Sequence, residues 1–150
     1  MNYRSRQQPV DVLLVEDNPG DARLVQEAFK SAAVTVTVQV VADGDVAIGH
    51  LTDALEDEST PYPDLVLLDL NLPRVDGFDV LDEIRTHADL AGLPIIVLTS
   101  SQAQEDVTKS YELAANAYLT KPTGPDAFDE LVEALEEFWF ESAQLPPIPA

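Results

Sequence analysis

Cysteine is absent from the 150 residues, and the only two histidines, His50 and His87, stand far apart. Disulfides and thiolate metal sites are therefore excluded, and a zinc centre has too few nitrogen ligands. Basic residues are scarce too: 8 Lys plus Arg face 28 Asp plus Glu, a formal net charge of -20. A field of this sign repels nucleic-acid phosphates, and no basic cluster overrides it, so no direct nucleic-acid binding is expected. No apolar run approaches the ~20 residues that span a bilayer. The start, Met1-Asn2-Tyr3-Arg4-Ser5-Arg6, lacks the hydrophobic segment of a signal peptide. These absences predict a soluble, cytoplasmic protein with no membrane partner.

What is present is an alternation of short apolar runs and longer amphipathic segments, without internal repeats. Strands are predicted at Val10 to Val15, Val34 to Val41, Leu65 to Leu68, Pro94 to Leu98 and Ala117 to Leu119. Between them, apolar residues recur at helical spacing. Leu24, Val25, Ala28 and Phe29 mark one face, Ile48, Leu51 and Leu55 a second, and Phe78, Leu81 and Ile84 a third. Val107, Tyr111 and Ala114 mark a fourth, and Phe128, Leu131, Val132, Leu135, Phe138 and Trp139 a fifth. Asn18 with Pro19 and Asp21, and Pro125 with Asp126, read as helix starts. Strict alternation of β and α predicts one α/β domain over residues 9–142: a doubly wound, five-stranded parallel sheet with helices on both faces. Residues 1–8 and the Pro-rich end 143–150 show no periodicity and are expected to be tails.

One residue does not fit its strand. Asp69 ends the run Leu65-Val66-Leu67-Leu68, which reads as a strand buried on both faces. An unpaired charge inside such a strand costs several kcal/mol or more, which places Asp69 at the carboxyl end, where open α/β sheets bind ligands. Glu16 and Asp17 end the first strand at the same edge. Each alone reads equally well as a capping acid beside Asn18, but that leaves Asp69 unexplained. Three converging carboxylates repel one another unless a cation sits among them, and all-oxygen ligands suit Mg²⁺. Thr99 ends the fourth strand and Lys121 the fifth. Singly, Thr99 is an ordinary strand-ending hydroxyl and Lys121 an ordinary surface charge. Together with the acids they suit phosphoryl transfer, in which the Asp69 carboxylate attacks phosphorus to give an acyl phosphate.

These residues resemble the receiver domain of two-component response regulators. The resemblance covers about residues 9 to 142. It rests on Glu16-Asp17, Asp69, Asp76-Gly77, Thr99 and Lys121-Pro122, in that order and spacing. It implies a flavodoxin-like fold with strand order 2-1-3-4-5 and phosphorylation of Asp69 by a sensor histidine kinase or phosphotransfer protein. By resemblance, Asp17, Asp69 and the Asn71 carbonyl bind Mg²⁺ directly, Glu16 assists through water, and a cis bond before Pro122 aims Lys121 inward. Thr99 and Tyr118 form the switch, which biases the face of the fourth helix, fifth strand and fifth helix towards a separate downstream protein. On residues alone, Tyr118 reads as well as a half-buried aromatic with its hydroxyl in water. Asn71 and Ser101 match positions that tune self-dephosphorylation, and neither is a strong base, so slow or moderate decay is expected. Val15-Glu16-Asp17-Asn18-Pro19-Gly20-Asp21 and Asn116 to Pro122 are similar to single-domain regulators of the cyanobacterial phytochrome-associated type.

The leading expectation is thus a stoichiometric phosphoacceptor, not an enzyme, that switches a binding surface; a phosphoryl carrier or sink is the alternative. A haloacid-dehalogenase-type phosphatase needs a second aspartate at the position of Asn71, and a degenerate scaffold needs no intact acidic set. The aromatics Phe138, Trp139 and Phe140 serve either the core or a homodimer contact. Acids in runs such as Glu56-Asp57-Glu58 and Glu105-Asp106 form a solvated surface, and their excess fits adaptation to high salt, where the Debye length falls to ~3 Å at 1 M. The melting temperature should accordingly rise between millimolar and molar KCl. Identical melting at the two salt concentrations would remove the halophilic reading.

Overall fold

A computed structural model describes residues 9–142; the expected tails, 1–8 and 143–150, lie outside the described residues. The strands are β1 (Val10–Val15), β2 (Val36–Val41), β3 (Leu65–Leu68), β4 (Ile95–Thr99) and β5 (Ala117–Thr120). The helices are α1 (Pro19–Phe29), α2 (Gly44–Glu56), α3 (Gly77–Thr86), α4 (Gln104–Glu112) and α5 (Pro125–Leu135). All strand pairs are parallel, in the order β2-β1-β3-β4-β5. The order and the alternation are those expected.

Each strand divides its side chains between two cores. Leu13, Val15, Val66, Leu68, Ile95 and Val97 point to the face covered by α2 and α3, where Leu51, Val80, Leu81 and Ile84 close over them. Val12, Leu14, Leu65, Leu67, Ile96 and Leu98 face α1 and α5 and pack on Val25, Phe29, Phe128 and Val132. Burial on both faces is why β3 lacks alternation and reads as a continuous apolar run. Edge strand β2 instead alternates half-buried valines with exposed Thr37 and Gln39.

The starts of α1, α2 and α3 are fixed by side-chain caps. Asn18 accepts from the Asp21 N–H at 3.0 Å, Asp43 from Val46 at 3.1 Å and Asp76 from Asp79 at 3.0 Å. α4 departs from expectation. Its buried residue is Ser110, whose hydroxyl bonds the Asp106 carbonyl at 2.8 Å, while Tyr111 is 52% exposed. Ala114 lies past the helix end with φ 67, so it cannot extend the face that begins at Val107. A small, internally bonded serine packs where an aromatic was expected. After α5 the chain widens into a π-helix, Glu136–Ser142. There Glu136 accepts the Ala33 N–H at 2.7 Å, Trp139 packs on the α1/α5 core, and Phe138 is 58% exposed. The side chain of Phe140 is outside what the structure describes.

Gly77, at the start of α3, sits directly behind β3. A Cβ there would lie 2.4 Å from the Asp69 carbonyl oxygen and 2.5 Å from the Leu70 Cα, both backbone atoms that cannot swing aside. Gly77→Ala should destabilise the fold by roughly 1–3 kcal/mol, the usual cost of overpacking, seen as a lower urea midpoint. An unchanged midpoint would mean that α3 moves away freely.

Candidate functional site

The residues singled out at the strand ends are held there by extra rungs of the sheet. The Glu16 N–H donates to Val41 O at 2.9 Å, the Asp69 N–H to Val15 O at 3.0 Å and the Lys121 N–H to Thr99 O at 2.8 Å. Parallel pairing brings all of these ends to one edge, and backbone hydrogen bonds fix which way each side chain leaves it.

At that edge the Lys121 ammonium meets three carboxylates. Its Nζ lies 2.6 Å from Glu16 Oε1, 2.9 Å from Asp21 Oδ2 and 2.9 Å from Asp69 Oδ2. An ammonium has three protons, so its donors are saturated. Side-chain exposure is 8% for Lys121, 2% for Glu16 and 5% for Asp69, so these two contacts are shielded from water, while Asp21 stands at the rim with 31% exposure. Among the described residues no peptide bond is cis, and Lys121 reaches inward with a trans bond before Pro122. The remaining oxygens are also engaged: Glu16 Oε2 accepts the Asn18 N–H and Asp69 Oδ1 the Asn71 N–H, each at 3.2 Å.

Glu16, Asp17 and Asp69 each offer a carboxylate oxygen, and these lie within 4.8 Å of one another. Asp17 is exposed, leaving the cluster open to solvent on its side. Thr99 is fully buried and its Oγ1 has no hydrogen-bond partner. Such a group normally finds one, so an orphaned hydroxyl at this edge is a donor in want of an acceptor. The Tyr118 side chain is half-buried, and its hydroxyl donates to the Ser101 carbonyl at 2.8 Å instead of resting in water. Ser101 Oγ in turn donates to Asp106 Oδ2 at 2.6 Å. Asn71 is exposed beside the cluster, held through its N–H.

Asp21 is the site residue that sequence reasoning missed. It reads as a helix-start acid, which it is, yet its carboxylate is also the third partner of Lys121. The available signal was its place in the first turn of a helix that begins at this same edge.

The charges of the cluster are unequal in consequence. Burial pushes the Glu16 carboxyl up to about 7, Lys121 opposes the rise, and the neighbouring Asp69 reinforces it. Burial acts upward on Asp69 as well, but Lys121, Glu16 and the Asn71 N–H outweigh it and hold its carboxyl below the ordinary value. Lys121 is raised despite burial, because its carboxylate partners favour the charged form. Asp69 is thus the carboxylate kept ionised. Because the folded value of Glu16 lies above its ordinary 4.5, folding takes up protons between the two values. Stability from this source is full below the ordinary value and declines as pH rises through about 7, by on the order of a few kcal/mol. Without divalent cations, wild-type melting should therefore fall between pH 5 and 8 more steeply than that of Glu16→Gln; parallel profiles would refute the assignment.

Comparison with known proteins agrees with this geometry. Residues 12–136 match the family model described as the response regulator receiver domain. The response regulator Rcp1 of Synechocystis sp. is 44% identical over 92% of this chain and 94% of its own length. The crystal structure of the Mn²⁺-bound form of Rcp1 superposes with a TM-score of 0.83 at 43% identity, covering 92% of this chain and 99% of that one. That of the phosphorylated cyanobacterial phytochrome response regulator RcpA gives 0.86 at 40% identity, covering 93% and 99%. On the family match and on relatives similar over nearly their whole length, the chain belongs to the response regulator receiver domain family.

Proposed function

We propose that this chain is a phosphorylation-switched binding module in which Asp69 accepts a phosphoryl group from the phosphohistidine of a sensor histidine kinase or phosphotransfer protein. The observation that carries the reading is the Asp69 carboxylate itself: buried, held ionised, and 2.9 Å from Lys121 at a solvent-open acidic edge. An Asp69 oxygen attacks phosphorus, the phosphorus–nitrogen bond breaks, and the histidine nitrogen leaves with its electron pair. Lys121 lies where it can follow an oxygen of the transferred group, and the unpaired Thr99 hydroxyl can donate to another.

The all-oxygen donor set fits a hard divalent cation, and the excess of carboxylates over the single ammonium supplies its counter-charge. In this reading Asp17, Asp69 and the Asn71 carbonyl would hold Mg²⁺, with Glu16 assisting through water. When bound, the cation neutralises the phosphoryl oxygens. The Mn²⁺-bound relative supports a divalent ion here.

Movement of Thr99 towards the phosphoryl group would draw on the β4–α4 loop, to which Tyr118 is bonded, and so change the face of α4, β5 and α5. Exposed Tyr111 lies on α4 and exposed Phe138 on the π-helix that follows α5, and they offer area for a downstream protein or a second copy. Ser101 is engaged with Asp106, and neither it nor Asn71 is a strong base, which supports slow hydrolysis of the acyl phosphate. Among the described residues no helix is long and apolar enough to cross a membrane, which accords with work in the cytoplasm.

Incubation with acetyl phosphate and Mg²⁺, followed by intact-mass measurement, should give one phosphoryl adduct on the wild type and none on Asp69→Asn. No adduct on either would favour a scaffold. Repeated turnover of a phosphate ester would favour a phosphatase.

A further inference from the structure

The segment between Asp69 and α3 carries Asn71 and frames the open side of the cluster. Its ends are fastened: the Asn71 N–H donates to Asp69 Oδ1, and the Gly77 N–H donates to Leu70 O at 2.9 Å. Its middle has only tight local bonds, Leu72 N–H to Leu70 O at 3.2 Å and Val75 N–H to Pro73 O at 2.7 Å. Each spans two residues, so beyond its ends the segment is held to the rest of the molecule by the packing of Leu72 and Val75 on the core under α2 and α3, contacts that fix no polar group.

Arg74 adds a polar tie to that packing. Its guanidinium is ion-paired through Nη2 with Asp43 Oδ2, while Asp43 Oδ1 accepts the Val46 N–H that starts α2. Asp43 is buried, so the anchor is fixed, whereas most of the Arg74 side chain is exposed and is ordered by this contact. The backbone cost is visible: Arg74 has φ 66, a left-handed conformation that glycine adopts freely and arginine does not. The start of α2 is also shaped to receive the segment, since a Cβ on Gly44 would lie 3.1 Å from the Val75 carbonyl oxygen and 2.6 Å from Val80 Cγ2.

We propose that the Arg74–Asp43 pair is a positioning clamp: it holds the segment after Asp69 against α2 and thereby sets the Asn71 carbonyl for cation binding. The inference rests on the proposed cation role of Asn71, and its test separates the two. Asp43→Asn keeps a good helix cap and leaves the segment's own sequence intact, while Arg74→Gly keeps the left-handed backbone. Titration calorimetry with MgCl₂ and hydrogen exchange at the Leu72 and Val75 amides in cation-free buffer are measured for wild type, both single variants and the double variant.

Each single variant should bind Mg²⁺ about two- to fivefold more weakly, the range expected for an exposed ion pair. The double variant should be no weaker than the worse single, and both amides should exchange faster in Asp43→Asn. Unchanged affinity in the single variants, or losses that multiply in the double, overturns the clamp. If the wild type itself takes up no Mg²⁺, the cation reading fails instead. Exchange then decides the clamp alone: faster exchange in Asp43→Asn supports it, and unchanged exchange overturns it.

Discussion

Lys121 is the charge on which the arrangement of the sheet edge depends. In a chain with a net charge of -20, burying Glu16 and Asp69 together is costly unless a cation offsets them. One ammonium, placed by the rung between β4 and β5, does so for the ends of β1 and β3 and for the first turn of α1. Four separate elements are therefore registered to a single nitrogen atom. The same contact divides the acids into two kinds, a protonation-prone Glu16 and an ionised Asp69.

The parallel sheet makes this convergence inexpensive. Strand ends of one polarity are brought together by pairing that the apolar cores already stabilise, and Glu16, Asp69 and Lys121 each add a backbone hydrogen bond of their own. Polar chemistry begins one residue after the last buried apolar side chain of β1 and β3.

That boundary is why so much was legible in the sequence. Asp69 after four buried apolar residues, Glu16-Asp17 after Val15 and Lys121 after Thr120 are local patterns, and parallel topology converts them into neighbours. What was illegible depends on angles between elements. Asp21 reaches Lys121 because of how α1 enters from its cap, and the Tyr118 hydroxyl finds Ser101 because of how the β4–α4 loop turns back. The exposed Tyr111 was misread for a related reason: three apolar residues at helical spacing define a face only while the helix continues, and it stops before Ala114. Arg74 and Asp43 meet across 31 residues with no pattern that announces the pair.

Gly77 gives the site a mechanical asymmetry. With no side chain between α3 and the backbone of Asp69 and Leu70, the wall behind the carboxylate is main chain against main chain and has no slack. The neighbours of the carboxylate itself are side chains: Lys121 at 2.9 Å, Glu16 and the exposed Asp17. A bulky group added at Asp69 cannot push backwards into the sheet. Displacement is left to the side chains in front of it, so one tight glycine contact gives any response at Asp69 a direction.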